Sequence, residues 1–225
     1  MRTAFSTVVR EAGDLSAGVF DVNGEMLAQA VTGTPGHVNS MAEAVKKFLA
    51  KYPISKLEPG DVLLTNDPWD GTGHLNDFTV VTPVFLSSEI IGFFASTSHI
   101  ADVGGRGFGP DANDLFEEGL RVPISYLLEK GELNKTLMEL IKANVRDPLV
   151  AEGDLYSLIA CNEAGSIELL EMLNDLDLRD LEELGKIILD RSKNAMREEI
   201  DRLGHHDVQY EMIIDGYHEP VRICC

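Results

Sequence analysis

An apolar stretch from Phe78 to Ala101, whose only formally charged residue is Glu89, most constrains the fold. Its length imitates a membrane span, but the polar break Ser87–Glu89 divides it into two runs rich in Val, Ile and Phe. A transmembrane helix needs about 20 consecutive apolar residues, whereas β-branched and aromatic runs around a short polar break are typical of a hairpin. The sequence therefore predicts a buried hairpin of Phe78–Leu86 and Ile90–Ser96.

The remaining periodicity predicts an α+β fold: a mixed β-sheet region with long functional loops, followed by a helical hairpin. Further strands are predicted at 14–21, 26–31, 61–65 and 208–215, and helices at 41–52 (with Ser40 as N-cap), 137–144, 150–176 and 178–203. We expect three regions: an α/β metal-site region at 1–132, a helical region at 133–206, and at 207–225 the start of a further strand region that is truncated. The last strand is followed by a turn and no evident partner, so we expect the natural fold to continue beyond residue 225.

Charge and cysteine content exclude several classes of protein. Lys and Arg number 19 against 38 Asp and Glu, a formal net charge of −19, so the chain repels nucleic-acid phosphates and anionic lipid. The three cysteines form no CxxC or zinc-finger spacing, which predicts a reduced, cytoplasmic protein. No GxxxxGK[ST] phosphate loop is present. We expect neither a nucleic-acid nor a membrane partner.

Two polar, glycine-rich loops flank the hairpin and predict a divalent metal site. His74 and Asp77 lie in GTGHLND before it, and His99 lies in SHIADVGG after it. A hairpin that turns near Ser88 returns residue 99 to the level of residue 77, so all three meet at one end of the sheet. Imidazole and carboxylate ligands suit Zn, Mn or Fe. The alternative is that these loop residues form Asx turns, cap helices or face solvent.

Several blocks of the chain, in order, resemble the hydantoinase B/oxoprolinase family. They are MRTAFSTVVREAGDLSAGVFDVNGEMLAQ at the start, then GTPGHVNSM, NDPWDGTGHLNDFTVVTPVF, SHIADVGG, EGLRVP and ANVRDP. The resemblance implies an ATP-dependent enzyme whose A-type partner subunit, with an actin-like ATPase fold, phosphorylates the substrate. ATP would thus act through that partner in a hetero-oligomer. Members of the family are much longer than this chain.

The resemblance also implies a ligand set of two Asp and two His, which falls on Asp14, His74, Asp77 and His99. Asp14 comes from the resemblance alone. In this interpretation three further residues orient the ligands or shuttle protons: His37, Asp67 and Asp102. Arg106 and Arg121 would either meet an anionic intermediate or form surface ion pairs.

The leading hypothesis is a B-type subunit, or a fragment of one, from an ATP-dependent ring-opening amidohydrolase. Its substrates would be hydantoins, 5-oxoproline or similar cyclic amides, with the metal activating water. An alternative in the same family is a subunit of a ketone (acetone or acetophenone) carboxylase. A second alternative, from a different class, is an inactive truncated interaction module.

Overall fold

The computed structural model describes residues 3–31, 33–107, 109–204, 209–216 and 218–225. The chain divides into two compact units, Met1–Gly185 and Lys186–Cys225. This division is coarser than the predicted three regions, which stay a prediction. Residue 206, one of the predicted boundaries, lies outside the described residues.

A seven-stranded sheet forms the centre of the first unit. Its strands are β1 (Leu15–Phe20), β2 (Met26–Gln29), β3 (Val62–Thr65), β4 (Asp77–Leu86), β5 (Glu89–His99), β6 (Ser125–Glu129) and β7 (Glu132–Leu133), in the order β2-β1-β5-β4-β3-β6-β7. The α+β class is confirmed, but the expectation of a mixed sheet is wrong. Every described strand pair in this sheet is antiparallel, including the pairs β1–β5 and β3–β6, whose strands are not consecutive in the chain.

The predicted buried hairpin is confirmed as β4 and β5, which pair along their whole length from Leu86 opposite Glu89 to Asp77 opposite His99. Ser87 and Ser88 make the two-residue turn, and Ser87 takes the left-handed conformation with φ of 59°. The strands occupy the middle of the sheet, and their apolar side chains are buried in a separate core on each face. No helix in the described part of the chain has the length and apolar character needed to cross a bilayer.

Helices cover both faces of the sheet. Helix α1 (Pro35–Lys51) lies on one face, and α3 (Lys135–Asn144) and α4 (Pro148–Asp175) lie on the other. Two more helices complete the described set, the short α2 (Leu115–Glu118) and α5 (Glu182–Leu203), most of which belongs to the second unit. On the α1 face, Phe48 packs in one core with Val81 and Phe93. On the α4 face, Leu155 packs in a second core with Phe78 and Val80. Alternate residues of β4 therefore point to different cores.

Helix α1 begins earlier than the sequence predicted. It starts at Pro35 with Thr34 as N-cap, so the prediction of Ser40 as N-cap is wrong. Proline is favoured in the first helical turn because its fixed φ suits the helix and its missing N–H is not needed there. Ser40 lies inside the helix, where its hydroxyl donates to the Gly36 carbonyl at 2.7 Å. The extra turn brings His37 into the helix.

The C-terminal strand has a partner within the chain, contrary to expectation. In the second unit, β8 (Glu211–Ile214) pairs antiparallel with β9 (Val221–Cys224). The sequence did not reveal β9, because four residues that include Arg222 give too little alternation to predict a strand.

The N-terminal segment of the first unit is anchored to α4 by a buried carboxylate. Asp154 Oδ1 accepts hydrogen bonds from the backbone N–H groups of Phe5 at 2.7 Å and Ser6 at 3.1 Å. Asp154 is 1% exposed. A short π-helical segment, Val8–Ala12, connects these residues to β1, so the anchor ties the N-terminal end of the sheet to α4.

We predict that Asp154→Ala lowers the free energy of unfolding by about 2–4 kcal/mol, because it leaves two backbone donors unpaired. Glu163→Ala, at an exposed position of the same helix, is the matched control and leaves stability unchanged. Urea denaturation of both variants measures the difference. Equal stability of the two variants would contradict the anchoring role.

Candidate metal centre

The ends of three neighbouring strands, β1, β5 and β4, bring the predicted residues together at one end of the sheet. Asp77 is the first residue of β4 and His99 the last of β5, and the two face each other in the register. Asp14 immediately precedes β1, and its carbonyl accepts from the His99 backbone N–H at 3.1 Å. Antiparallel pairing thus places all three at one level, as the hairpin argument predicted for Asp77 and His99.

His74 reaches the same place from the loop before β4. The Asp77 backbone N–H donates to the His74 carbonyl at 3.2 Å, which is a tight turn that folds the His74 side chain back onto Asp77. One ligand atom from each of His74, Asp77 and His99 lies within 4.8 Å of the others. This triad has the atom types and the spacing of a site for a divalent metal.

The two carboxylate oxygens of Asp77 face different neighbours. His74 Nε2 lies 2.8 Å and His99 Nδ1 3.3 Å from Oδ1. On the other side, His37 Nε2 lies 3.0 Å from Oδ2, and the Thr72 hydroxyl donates to Oδ2 at 3.2 Å. Asp77 is therefore held through Oδ2, while Oδ1 points toward the two imidazoles of the triad.

The surroundings of Asp77 Oδ1 also suit a metal ion. Asp77 is 1% exposed, and the imidazole nitrogens of His74 and His99 converge on its Oδ1 from two different segments. Two imidazole nitrogens and a carboxylate oxygen that converge on one point have the arrangement of ligands around a common cation.

The charges of these residues depend on one another. Burial acts to raise the pKa of Asp77, but its contacts with His37, His74 and His99 outweigh burial and hold that pKa far below its usual range. Contact with Asp77 is also the main cause that raises the pKa of His74. An ionised Asp77 is the form that a cation requires.

A cavity of about 440 Å³ opens at this cluster. Its lining includes His37, from the first turn of α1, and Asp14, whose Oδ1 accepts from the Thr34 hydroxyl at 2.8 Å. His37 Nε2 lies 3.7 Å from Asp14 Oδ1, and His99 Nδ1 lies 3.9 Å from Asp14 Oδ2. Five predicted residues therefore share one cavity: Asp14, His37, His74, Asp77 and His99.

The other predicted residues are engaged elsewhere. Asp67 accepts from the Trp69 backbone N–H at 3.1 Å and lies 3.5 Å from Arg121 Nε. Asp102 contacts Arg146 Nη1 at 2.6 Å. Neither aspartate is among the described residues that line the cavity, so their predicted roles stay predictions without a contact to support them.

The arginines form ion pairs. Arg106 Nη1 contacts Glu117 Oε2 at 2.8 Å, and Arg121 contacts Asp67, as described above. The ion-pair alternative therefore describes both side chains. Thr34 and Thr72 bind the carboxylates of Asp14 and Asp77 and were not predicted. Their one signal in the sequence is their position near His37 and His74 in the glycine-rich loops.

The fold and the residue cluster together define a histidine- and carboxylate-lined site at the end of an antiparallel sheet. The family model described as hydantoinase B/oxoprolinase matches residues 1–225. The chain therefore belongs to the hydantoinase B/oxoprolinase family.

Sequence similarity to proteins of other organisms supports this membership. The chain is 37% identical to the uncharacterized protein MJ0963 of Methanocaldococcus jannaschii, over 88% of this chain and 36% of that protein. It is 31% identical to the caprolactamase subunit beta of Pseudomonas jessenii, over 77% of this chain and 30% of the relative. It is also 31% identical to the 5-oxoprolinase of Saccharomyces cerevisiae, over 91% of this chain and 17% of the relative. The chain thus spans well under half the length of these proteins.

Two solved structures share the fold. The ATP-dependent caprolactamase from Pseudomonas jessenii superposes with a TM-score of 0.79 at 26% identity, over 90% of this chain and 35% of that one. A nucleotide-free acetone carboxylase superposes with a TM-score of 0.71 at 22% identity, over 83% of this chain and 25% of that one. The second likeness shows the fold alone.

We predict that His74 in the metal-free chain titrates above its ordinary pKa of 6.5, and that Asp77→Asn lowers this pKa. The protonated His74 then stabilises the folded chain. This stabilisation is fully present below pH 6.5 and is lost as the pH rises through the raised pKa of His74. NMR titration of the imidazole resonances measures both. Asp102→Asn is the control and leaves the His74 pKa unchanged; an equal effect of the two substitutions would contradict the pairing.

Proposed function

We propose that this chain is the metal-holding part of a B-type subunit from an ATP-dependent ring-opening amidohydrolase. Its substrates would be hydantoins, 5-oxoproline or similar cyclic amides. The observation that carries the proposal is the convergence of His74, Asp77 and His99 on one cavity of a chain in this family. The caprolactamase and the 5-oxoprolinase named above are enzymes of cyclic amides, which supports this substrate class.

The four proposed ligands are Asp14, His74, Asp77 and His99. Two carboxylates and two neutral imidazoles balance the charge of a dipositive ion, and this mixed set suits Zn or Mn, with Fe as a further candidate. Such an ion, when bound, supplies a Lewis acid that lowers the pKa of water. That chemistry suits hydrolysis of an amide whose carbonyl has been activated beforehand.

The chain's own residues would hold and orient this centre. His37 and Thr72 fix Asp77 through Oδ2, which leaves Oδ1 directed at the triad. Thr34 fixes Asp14 in the same way, through Oδ1. His37 Nε2 lies between the two carboxylates, so it is the atom we assign to holding a proton during turnover.

ATP would be used by a partner subunit. The sequence has no phosphate loop, and a relative is named as a subunit beta. We propose an A-type subunit with an actin-like ATPase fold, which would phosphorylate the amide and deliver it to the cavity in a hetero-oligomer. A cytoplasmic location is part of the same proposal and rests on the cysteine content alone.

A ketone carboxylase subunit is the second candidate, because the family resemblance implies this class of enzyme as well; the likeness to acetone carboxylase adds a shared fold only. The proposed site would then stabilise an enolate rather than activate water. The third candidate, an interaction module, needs no metal.

We predict that the purified chain retains about one Zn, Mn or Fe per molecule after exhaustive buffer exchange, as a site with four ligands should. His74→Ala loses this metal, because it removes one member of the triad. Elemental analysis measures both, and His218→Ala, at an exposed histidine, is the matched control that keeps the metal. A folded wild-type chain without metal would favour the interaction module.

We predict that the chain, purified in complex with its ATPase partner, couples ATP turnover to cyclic amides without bicarbonate. His37→Ala in that complex lowers turnover while metal content stays at the wild-type level, because His37 contacts ligands without belonging to the triad. A reaction that needs a ketone and bicarbonate would identify the carboxylase instead. Turnover that is independent of both substrate classes would contradict both enzyme assignments.

A further inference from the structure

Two buried asparagines bracket the metal-binding triad. Asn66 is fully buried and Asn76 is 8% exposed. Each side chain binds backbone groups of residues that are adjacent in sequence to the triad, and the proposed function assigns neither of them a role.

Asn76 joins the two strands at the point where their ladder ends. Its Nδ2 donates to the Ile100 carbonyl at 2.8 Å, and the Ile100 backbone N–H donates to the Asn76 carbonyl at 2.7 Å. Asn76 directly precedes Asp77, and Ile100 directly follows His99. These two hydrogen bonds therefore continue the pairing of β4 and β5 by one residue beyond Asp77 and His99, and they fix the separation of the two proposed ligands.

Asn66 holds the third ligand from the other side. Its Nδ2 donates to the carbonyls of Leu75 at 2.7 Å and Leu120 at 2.8 Å. Its Oδ1 accepts from the Val122 backbone N–H at 2.6 Å. Leu75 directly follows His74, so Asn66 ties the His74 loop to a segment that is more than 40 residues away in sequence.

Every member of the triad is thus next to a residue whose backbone is fixed. His74 adjoins Leu75, Asp77 adjoins Asn76, and His99 adjoins Ile100. A ligand loop that is already ordered does not lose conformational entropy when a metal binds, and such preorganisation strengthens binding.

We propose that Asn66 and Asn76 are positioning residues that set the geometry of His74, Asp77 and His99 and thereby the affinity of this site for metal. The proposal rests on the proposed metal centre. Neither asparagine is assigned as a ligand; both act through the backbone of the neighbouring residues.

The chain offers a matched control. Asn162 on α4 is 1% exposed, and its Nδ2 binds the Val80 carbonyl at 3.1 Å and the Thr82 hydroxyl at 3.1 Å. It is therefore also a buried asparagine that binds β4. Its partners lie on the α4 side of the sheet and are not adjacent to any residue of the triad.

The test compares Asn66→Ala, Asn76→Ala and Asn162→Ala with wild type in two measurements. The first is Co²⁺ titration against a competing chelator, with the visible d–d spectrum recorded; His74→Ala reports Co²⁺ bound elsewhere. The second is urea denaturation of the metal-free chains. We expect the Kd for Co²⁺ to rise about 10- to 100-fold in the first two variants, with an altered spectrum.

The expected result for Asn162→Ala is lower stability with the wild-type Kd and spectrum. The proposal is overturned if Asn66→Ala and Asn76→Ala keep the wild-type Kd, or if Asn162→Ala weakens Co²⁺ binding as much as they do. Should Asn66→Ala fail to fold, Asn76→Ala at the sheet edge decides the matter alone. A wild-type chain that does not bind Co²⁺ would instead contradict the metal centre itself, and this proposal with it.

Discussion

The register between β4 and β5 is the constraint on which the candidate metal centre depends. Asp77 lies opposite His99 only in this register, and a slip by one residue would turn one of the two side chains to the other face of the sheet. The next row of side chains on the same face of the sheet secures the same alignment. Four buried hydroxyl residues stand in register across β1, β5, β4 and β3: Ser16, Thr97, Thr79 and Thr65. The hydroxyls of Thr79 and Thr97 lie 2.9 Å apart. This polar row separates Asp77 and His99 from the apolar core around Phe93.

The sheet also explains why a charged cluster can exist at a largely buried position. Asp77 is an ionised carboxylate in a buried environment, which is unfavourable unless positive or donor groups surround it. Imidazoles from three separate segments and the Thr72 hydroxyl supply those groups. Each segment is fixed by a different element: His37 by α1, His74 by the loop before β4, and His99 by β5. The centre is therefore a product of the whole first unit rather than of one motif.

Much of this arrangement follows from the sequence because its signals are local. The two apolar runs with a polar break predict the hairpin, and the hairpin then predicts that residues 77 and 99 meet. Other features could not be predicted, since they depend on partners distant in the chain. The short strands β6 and β7 give too little periodicity to detect, although β6 pairs with β3 and β7 forms the edge of the sheet. His37 was expected in a loop because Pro35 and the neighbouring glycines are typical of loops, whereas Pro35 begins helix α1.

The same distinction separates the predicted site residues. His74, Asp77 and His99 were reached by hairpin geometry, whereas Asp14 required the family resemblance because it lies more than 60 residues before Asp77. Asp67 and Asp102 lie in the same polar loops as the triad and carry the same carboxylate as Asp77, so the sequence does not distinguish them from it. The structure shows Asp102 bound to Arg146, 44 residues away, a contact that no local pattern indicates.

The most direct test of this account is a crystal structure of the chain grown with Zn²⁺ or Mn²⁺, with diffraction recorded at the absorption edge of the metal. The account predicts an anomalous peak about 2.0–2.2 Å from ligand atoms of His74, Asp77 and His99, with Asp14 completing the set. A stoichiometric metal bound elsewhere in the chain, with these side chains outside coordination distance, would contradict it.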